Sequence, residues 1–126
     1  MANEVINWNE AMQQCGDDEE FLRELLDDLR SEMETQMLKI AETISNPPDR
    51  PFVHITRAAH VIKGAAANLM CGELKETASM LEKVAQKASS DPNPSNPAIL
   101  SEVQARYEAL RTAVQNYNAH LESIGV

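Results

Sequence analysis

The run from Leu22 to Ile44 constrains the fold more than any other stretch of this sequence. Leu22, Leu25, Leu26, Leu29, Met33, Met37, Ile40 and Ile44 recur at steps of three and four residues, which gathers them on one face of a helix. At 3.6 residues per turn the stripe is sustained for roughly six to seven turns. The opposite face carries Arg23, Asp27, Asp28, Arg30, Glu34 and Lys39 and reads as a solvated surface. A helix this long with one continuous apolar face needs partners, so the rest of the chain is expected to supply covering helices.

Start and stop signals mark them out. Asn7, with Glu10 three residues on, predicts a short first helix that runs through Met12 to a stop at Gly16, with Trp8 and Met12 folded over one end of a bundle. Asp17 is the predicted cap of the long helix, with Asp18, Glu19 and Glu20 in its first turn, where carboxylates suit the helix dipole. The run SNPPDRP, Ser45 to Pro51, ends that helix because adjacent prolines lack the amide hydrogens a helix needs. Asp49 or a neighbour then caps a helix with Pro51 in its first turn and Phe52, Ile55, Ala59, Ile62, Ala66 and Leu69 on its inner stripe. Gly72 is expected to bend the chain, and a helix from Glu73 turns Leu74, Ala78, Leu81, Val84 or Ala85, and Ala88 inward while Lys75, Glu76, Glu82 and Lys83 face water. The loop Ser89 to Pro97 leads to a last helix, about Ala98 to Ser123, capped by Asn96 and striped by Ile99, Val103, Tyr107 or Arg106, Leu110, Val114, Tyr117 and Leu121. Amphipathic helices joined by short reversals predict an all-α, antiparallel up-and-down four-helix bundle with a short extra N-terminal helix.

Size and charge narrow the function. A chain of 126 residues suits one domain spanning 1–126, and 43% hydrophobic against 4% aromatic content favours helices over sheet. A formal net charge of -9 argues against a nucleic-acid partner held through phosphates. Cys15 and Cys71 have neither zinc nor disulfide-framework spacing and fit reduced thiols, and no window approaches the ~20 apolar residues of a membrane span. A soluble, cytoplasmic monomer is expected.

The segment Arg57 to Gly72, RAAHVIKGAAANLMCG, holds the chemistry. The stripe opposite the apolar one comprises Val53, Thr56, Arg57, His60, Lys63, Gly64, Ala67 and Asn68, so His60 points outward with Lys63 and Gly64 one turn away. A neutral imidazole is a good nucleophile near pH 7 and can accept a phosphoryl group, and a nearby ammonium stabilises the charge that arrives. Glycine inside a helix costs about 1 kcal/mol relative to alanine, and Gly64 is explained by access: a side chain there blocks a large partner from reaching His60. The bland alternative is an ordinary surface histidine on a helix used for binding.

These residues resemble the histidine-containing phosphotransfer (HPt) domains of multistep phosphorelays. His60, Lys63 and Gly64 fit the family's H-x-x-K-G signature, and Ala65 to Leu69 is similar to its small-residue run ending in an aliphatic. Glu73 to Glu82 and Gly16 to Leu29 resemble the neighbouring helices, so the likeness spans most of the chain. It implies phosphate acceptance at His60, support from Lys63 and clearance at Gly64. It implies as partners the receiver domains of a hybrid histidine kinase and of response regulators, with magnesium on the receiver and no cofactor or metal here. Val53, Thr56, Arg57, Val61, Ala67 and Asn68 are the expected rim of the docking surface. No P-loop or glycine-rich kinase loop is present, so a phosphocarrier is expected in place of an ATP-dependent kinase. Free-standing carriers of this type in eukaryotes move between cytoplasm and nucleus, and a domain of a larger hybrid kinase is the other possibility. Two departures stand out: Met70 occupies the place where the family often has glycine, and Ala65 the place where it often has serine. The alternative function is an adaptor that binds receivers with His60 silent. His54 and His60 diverge by about 240° around the helix, which argues against a metal site.

Overall fold

The computed structural model describes residues 5–93 and 96–126. Five helices follow one another, α1 (Trp8–Gln14), α2 (Glu19–Ser45), α3 (Pro51–Asn68), α4 (Gly72–Ser89) and α5 (Pro97–Ser123), with no strand among the described residues. Short reversals between consecutive long helices make α2 to α5 an antiparallel up-and-down bundle, with α1 as the short addition.

The predicted stripes form the core. Leu22, Leu26, Leu29, Met33 and Ile40 are buried along α2, while Leu25, Met37 and Ile44 lie half-buried at the stripe's edges. Gln36 and Thr43 share that buried face, and the Thr43 hydroxyl is satisfied by donating to the Lys39 carbonyl at 2.7 Å. On α4 it is Ala85 that is buried, with Val84 at the margin, and on α5 Arg106 and Tyr107 are both half-buried, Tyr107 packing against the core. Ala113, outside the predicted stripe, is buried beside Leu110 and Tyr117. The Tyr117 hydroxyl donates to the Leu26 carbonyl at 2.6 Å and ties α5 to α2.

Two helix boundaries differ from expectation, each for a local reason. Gly16 and Asp17 both adopt positive φ, 65° and 60°, so Asp18 is the residue that caps α2, accepting from the Phe21 amide at 3.1 Å. At the start of α3 the cap position falls, as expected, on a neighbour of Asp49, Arg50 at φ 53°, with Pro51 in the first turn and no side-chain cap hydrogen bond. Between α3 and α4 the bend falls at Met70, whose φ is 58°, and Gly72 is already the first residue of α4. The Cys71 amide donates to the Ala66 carbonyl at 2.9 Å and the Met70 amide to Ala67 at 3.2 Å. This is a Schellman ending with methionine in the left-handed place that glycine normally fills.

The turn is also where α1 docks. The Asn7 amide donates to the Met70 carbonyl at 2.9 Å, Ile6 and Ala11 are buried, and Trp8 and Met12 pack half-buried against the core. The segment therefore closes one end of the bundle, as its sequence suggested. None of the described helices is long and apolar enough to cross a membrane.

Candidate functional site

The inner face of α3 sets the direction of the outer one. Phe52, Ile55, Ala58, Ala59, Ile62 and Ala66 are buried, which leaves His60 pointing away from the core with 66% of its side chain exposed. The α3–α4 contact is the most extensive among the described helices, and both helices carry buried alanines, Ala59 and Ala66 on α3 and Ala78, Ala85 and Ala88 on α4. Small residues let two helices approach closely, so a side chain at the margin of α4 can reach the outer face of α3.

That side chain is Glu82. Its Oε2 lies 2.7 Å from His60 Nδ1 and its Oε1 lies 2.7 Å from Lys63 Nζ, so one carboxylate bridges the histidine and the lysine. The expectation that Glu82 faces water is corrected here: its side chain is only 16% exposed. Burial acts to raise its carboxyl, but the hydrogen bonds and positive charges of Lys63 and His60 outweigh burial and hold it below the usual carboxylate range. An ionised carboxylate only accepts hydrogen bonds, so Nδ1 of His60 is the ring nitrogen that carries hydrogen, and in the neutral ring Nε2 holds the free lone pair.

Gly64 lies one turn further along the same face, exposed, and a Cβ built on it meets nothing within 4 Å. Its lack of a side chain answers no packing demand within the chain. Lys63, half-buried, is held toward Glu82.

The expected rim residues fall into four groups. Arg57 and Val61, both exposed, line a groove of about 660 Å³ between α3 and the C-terminal half of α2, together with Gln36, Lys39, Thr43 and His54. Asn68 lines a second groove on the same α2-facing flank, toward the N-terminal half of α2, with Ala65, Leu25 and the exposed Phe21. Val53 lies two turns from His60, beside Pro48 and Ser89 at the opposite end of the helix, and is not brought to either groove. Thr56 and Ala67 are half-buried, and the Thr56 hydroxyl is already donated to the Phe52 carbonyl at 2.7 Å.

Two residues at this face were not singled out from the sequence. Phe21 had a readable signal: it is a large apolar residue in the first turn of α2 that falls outside the Leu22 stripe. Glu82 had none, because it lies 22 positions from His60 and looks like any other surface carboxylate. Among the described residues no group of three or more His, Cys, Asp or Glu side chains could hold a metal ion.

The Hpt domain family model matches residues 24–113, from the second turn of α2 to the middle of α5. No curated protein and no solved structure gives a significant match.

Proposed function

The chain belongs to the Hpt domain family, phosphocarrier modules that work with receiver domains in phosphorelays, and from that membership we propose that His60 is the phosphate-accepting residue. One observation carries the assignment. Among the described residues, His60 alone of the three histidines has a ring hydrogen-bonded to a carboxylate, and its ring is largely exposed beside a glycine with open space above it.

The steps follow from these positions. A receiver domain of a hybrid kinase brings its aspartyl phosphate over the α3 face. The Nε2 lone pair attacks phosphorus, the P–N bond forms, and the acyl P–O bond breaks with the electron pair returning to the aspartate. Glu82 holds the ring in one orientation and one tautomer throughout. The Lys63 ammonium, held one turn away by Oε1 of Glu82, exchanges that contact for the oxygens of the arriving phosphoryl group. Gly64 leaves the receiver's active-site loops room to approach. The reverse sequence passes the group to the aspartate of a response regulator. The two grooves between α3 and α2, one with Arg57 and Val61 and the other with Phe21 and Asn68, form the docking rim. Divalent-cation chemistry belongs to the receiver in this reading, and residues 1–126 act as one monomeric carrier domain in the cytoplasm.

The test is direct. Incubation with a phosphorylated receiver domain should place acid-labile, alkali-stable phosphate on the wild type and none on His60→Gln. An unlabelled wild type, or equal label on the variant, refutes the carrier function and leaves a binding adaptor.

A further inference from the structure

The groove between α3 and the C-terminal half of α2 has a polar floor under an otherwise apolar interface. Its volume of about 660 Å³ falls in the range of small-ligand sites. Gln36 and Thr43 both line it, and they are the two buried residues among those described that are neither apolar nor aromatic. They stand about two turns apart on the face of α2 that elsewhere carries leucine, methionine and isoleucine. We infer that this groove binds a small organic anion, its carboxylate or phosphate held between Lys39 and Arg57 and an adjoining polar group met by the Gln36 amide.

Gln36 marks the floor as a site. Its side chain is 7% exposed yet makes no hydrogen bond to any described residue, whereas the Thr43 hydroxyl is satisfied by the Lys39 carbonyl. A side-chain amide offers two donors and an acceptor, and enclosing them unpaired is costly. A leucine at 36 would continue the apolar stripe without that cost. A polar group that enters the groove supplies the partners that the chain does not, and a flat protein surface laid across the rim does not reach them.

The rim supplies the charge. Lys39, His54 and Arg57 line the groove, all exposed, and none of them is in an ion pair among the described residues. By contrast Arg23, Arg30, Lys63 and Arg111 each face a carboxylate in this chain of formal net charge -9. Lys39 lies six residues before the end of α2 at Ser45, and Arg57 six residues after the start of α3 at Pro51. The helices are antiparallel, so the two cations stand across the groove from each other. Glu42 is the one acidic residue in the lining; it lies one turn nearer the reversal, level with His54, and leaves the Lys39–Arg57 end to an anion. Gln36 is one turn from Lys39 on the far side from Glu42. A guanidinium takes carboxylate or phosphate oxygens in pairs, and the ammonium opposite adds a point charge. On the carrier reading, Arg57 and Val61 also belong to the docking rim, so a bound anion and a docked receiver claim the same surface.

The test is a nitrogen-15 NMR titration of the full chain with citrate and, separately, with inorganic phosphate, at constant ionic strength and with glycerol as the neutral control. At least one anion should shift the Gln36 side-chain amide and the Arg57 Nε–H along one saturable curve with a millimolar or tighter dissociation constant, and which anion does so tells carboxylate from phosphate. Removing one partner of a charged hydrogen bond costs about tenfold in affinity, so Lys39→Gln and Arg57→Gln, both at exposed positions, should each weaken binding by about that factor. Gln36→Leu should weaken binding while unfolding at the same or a higher temperature, because it removes an unpaired buried amide. A structural role for Gln36 gives the reverse, lower stability with binding unchanged, and overturns the inference. So does the absence of a saturable shift with either anion, an equal response to glycerol, or equal affinity in the wild type and both charge variants. His60→Gln should bind the anion as the wild type does, so the outcome is separate from that of the phosphocarrier reading.

Discussion

Replacing Gly64 with alanine should make this protein more stable, an unusual expectation for a residue in a family signature. Gly64 lies inside α3 with no positive φ, and a Cβ added there meets open space. Neither backbone conformation nor packing requires glycine, so the full difference in helix propensity should appear, about 0.8–1.0 kcal/mol in favour of alanine. With an unfolding entropy of about 2.1 cal/mol/K per residue, a chain of 126 residues gives roughly 0.26 kcal/mol/K, and Tm should rise by about 3–4 °C. Thermal and urea unfolding followed by circular dichroism measure both quantities. A loss of stability in Gly64→Ala refutes the reasoning, because it reveals a contact that the open surroundings do not contain. Gly64→Gln is the functional half of the same test. It should remain folded, with a small stability gain, while transfer from a phosphorylated receiver slows by about ten- to a hundredfold through displacement of the docked partner. Equal transfer rates in the wild type and the glutamine variant refute the access explanation even if the stability gain is found.

Two further outcomes are expected. Met70→Ala and Met70→Gly remove the same half-buried side chain, but only glycine relieves the left-handed φ of 58°, so the glycine variant should be more stable than the alanine variant by about 1 kcal/mol in urea unfolding. Alanine equal to or better than glycine shows that the turn carries no such strain. Burial pushes the Cys71 thiol up to about 12, so in a Cys15→Ser background it should resist alkylation at pH 8 until the protein is unfolded, and labelling at the rate of a free thiol under native conditions contradicts the buried placement.

Much of the architecture was legible because it is periodic. The stripes on α2, α3 and α5 state which faces meet, and Asn7, Asn96 and Pro97 mark helix starts through chemistry confined to three or four residues. The misplaced boundaries share a cause: a residue took a conformation its own type disfavours. Asp17 and Met70 both adopt positive φ, and a reading that reserves that region for glycine puts the bend at Gly72 and the cap at Asp17. Met70 is held there by the two Schellman bonds and by the Asn7 amide on its carbonyl.

The site divides along the same line. His60, Lys63 and Gly64 lie within five consecutive positions of one helix, so spacing alone brings them to one face. Glu82 enters through the packing of α3 on α4, and packing distance depends on residues that carry no chemical signature. Alanines at 59, 66, 78, 85 and 88 allow the close approach, and the sequence presents them as unremarkable helix formers. Their effect is to convert a surface glutamate into the partner of both His60 and Lys63. Larger residues at the buried positions 59 or 78 would therefore act on the site from a distance. They would widen the α3–α4 spacing, lengthen the Glu82–His60 bond and weaken the hold on Nδ1 without touching the phosphoaccepting face. The electrostatic state of His60 is thus set in the core of the bundle as much as on its surface.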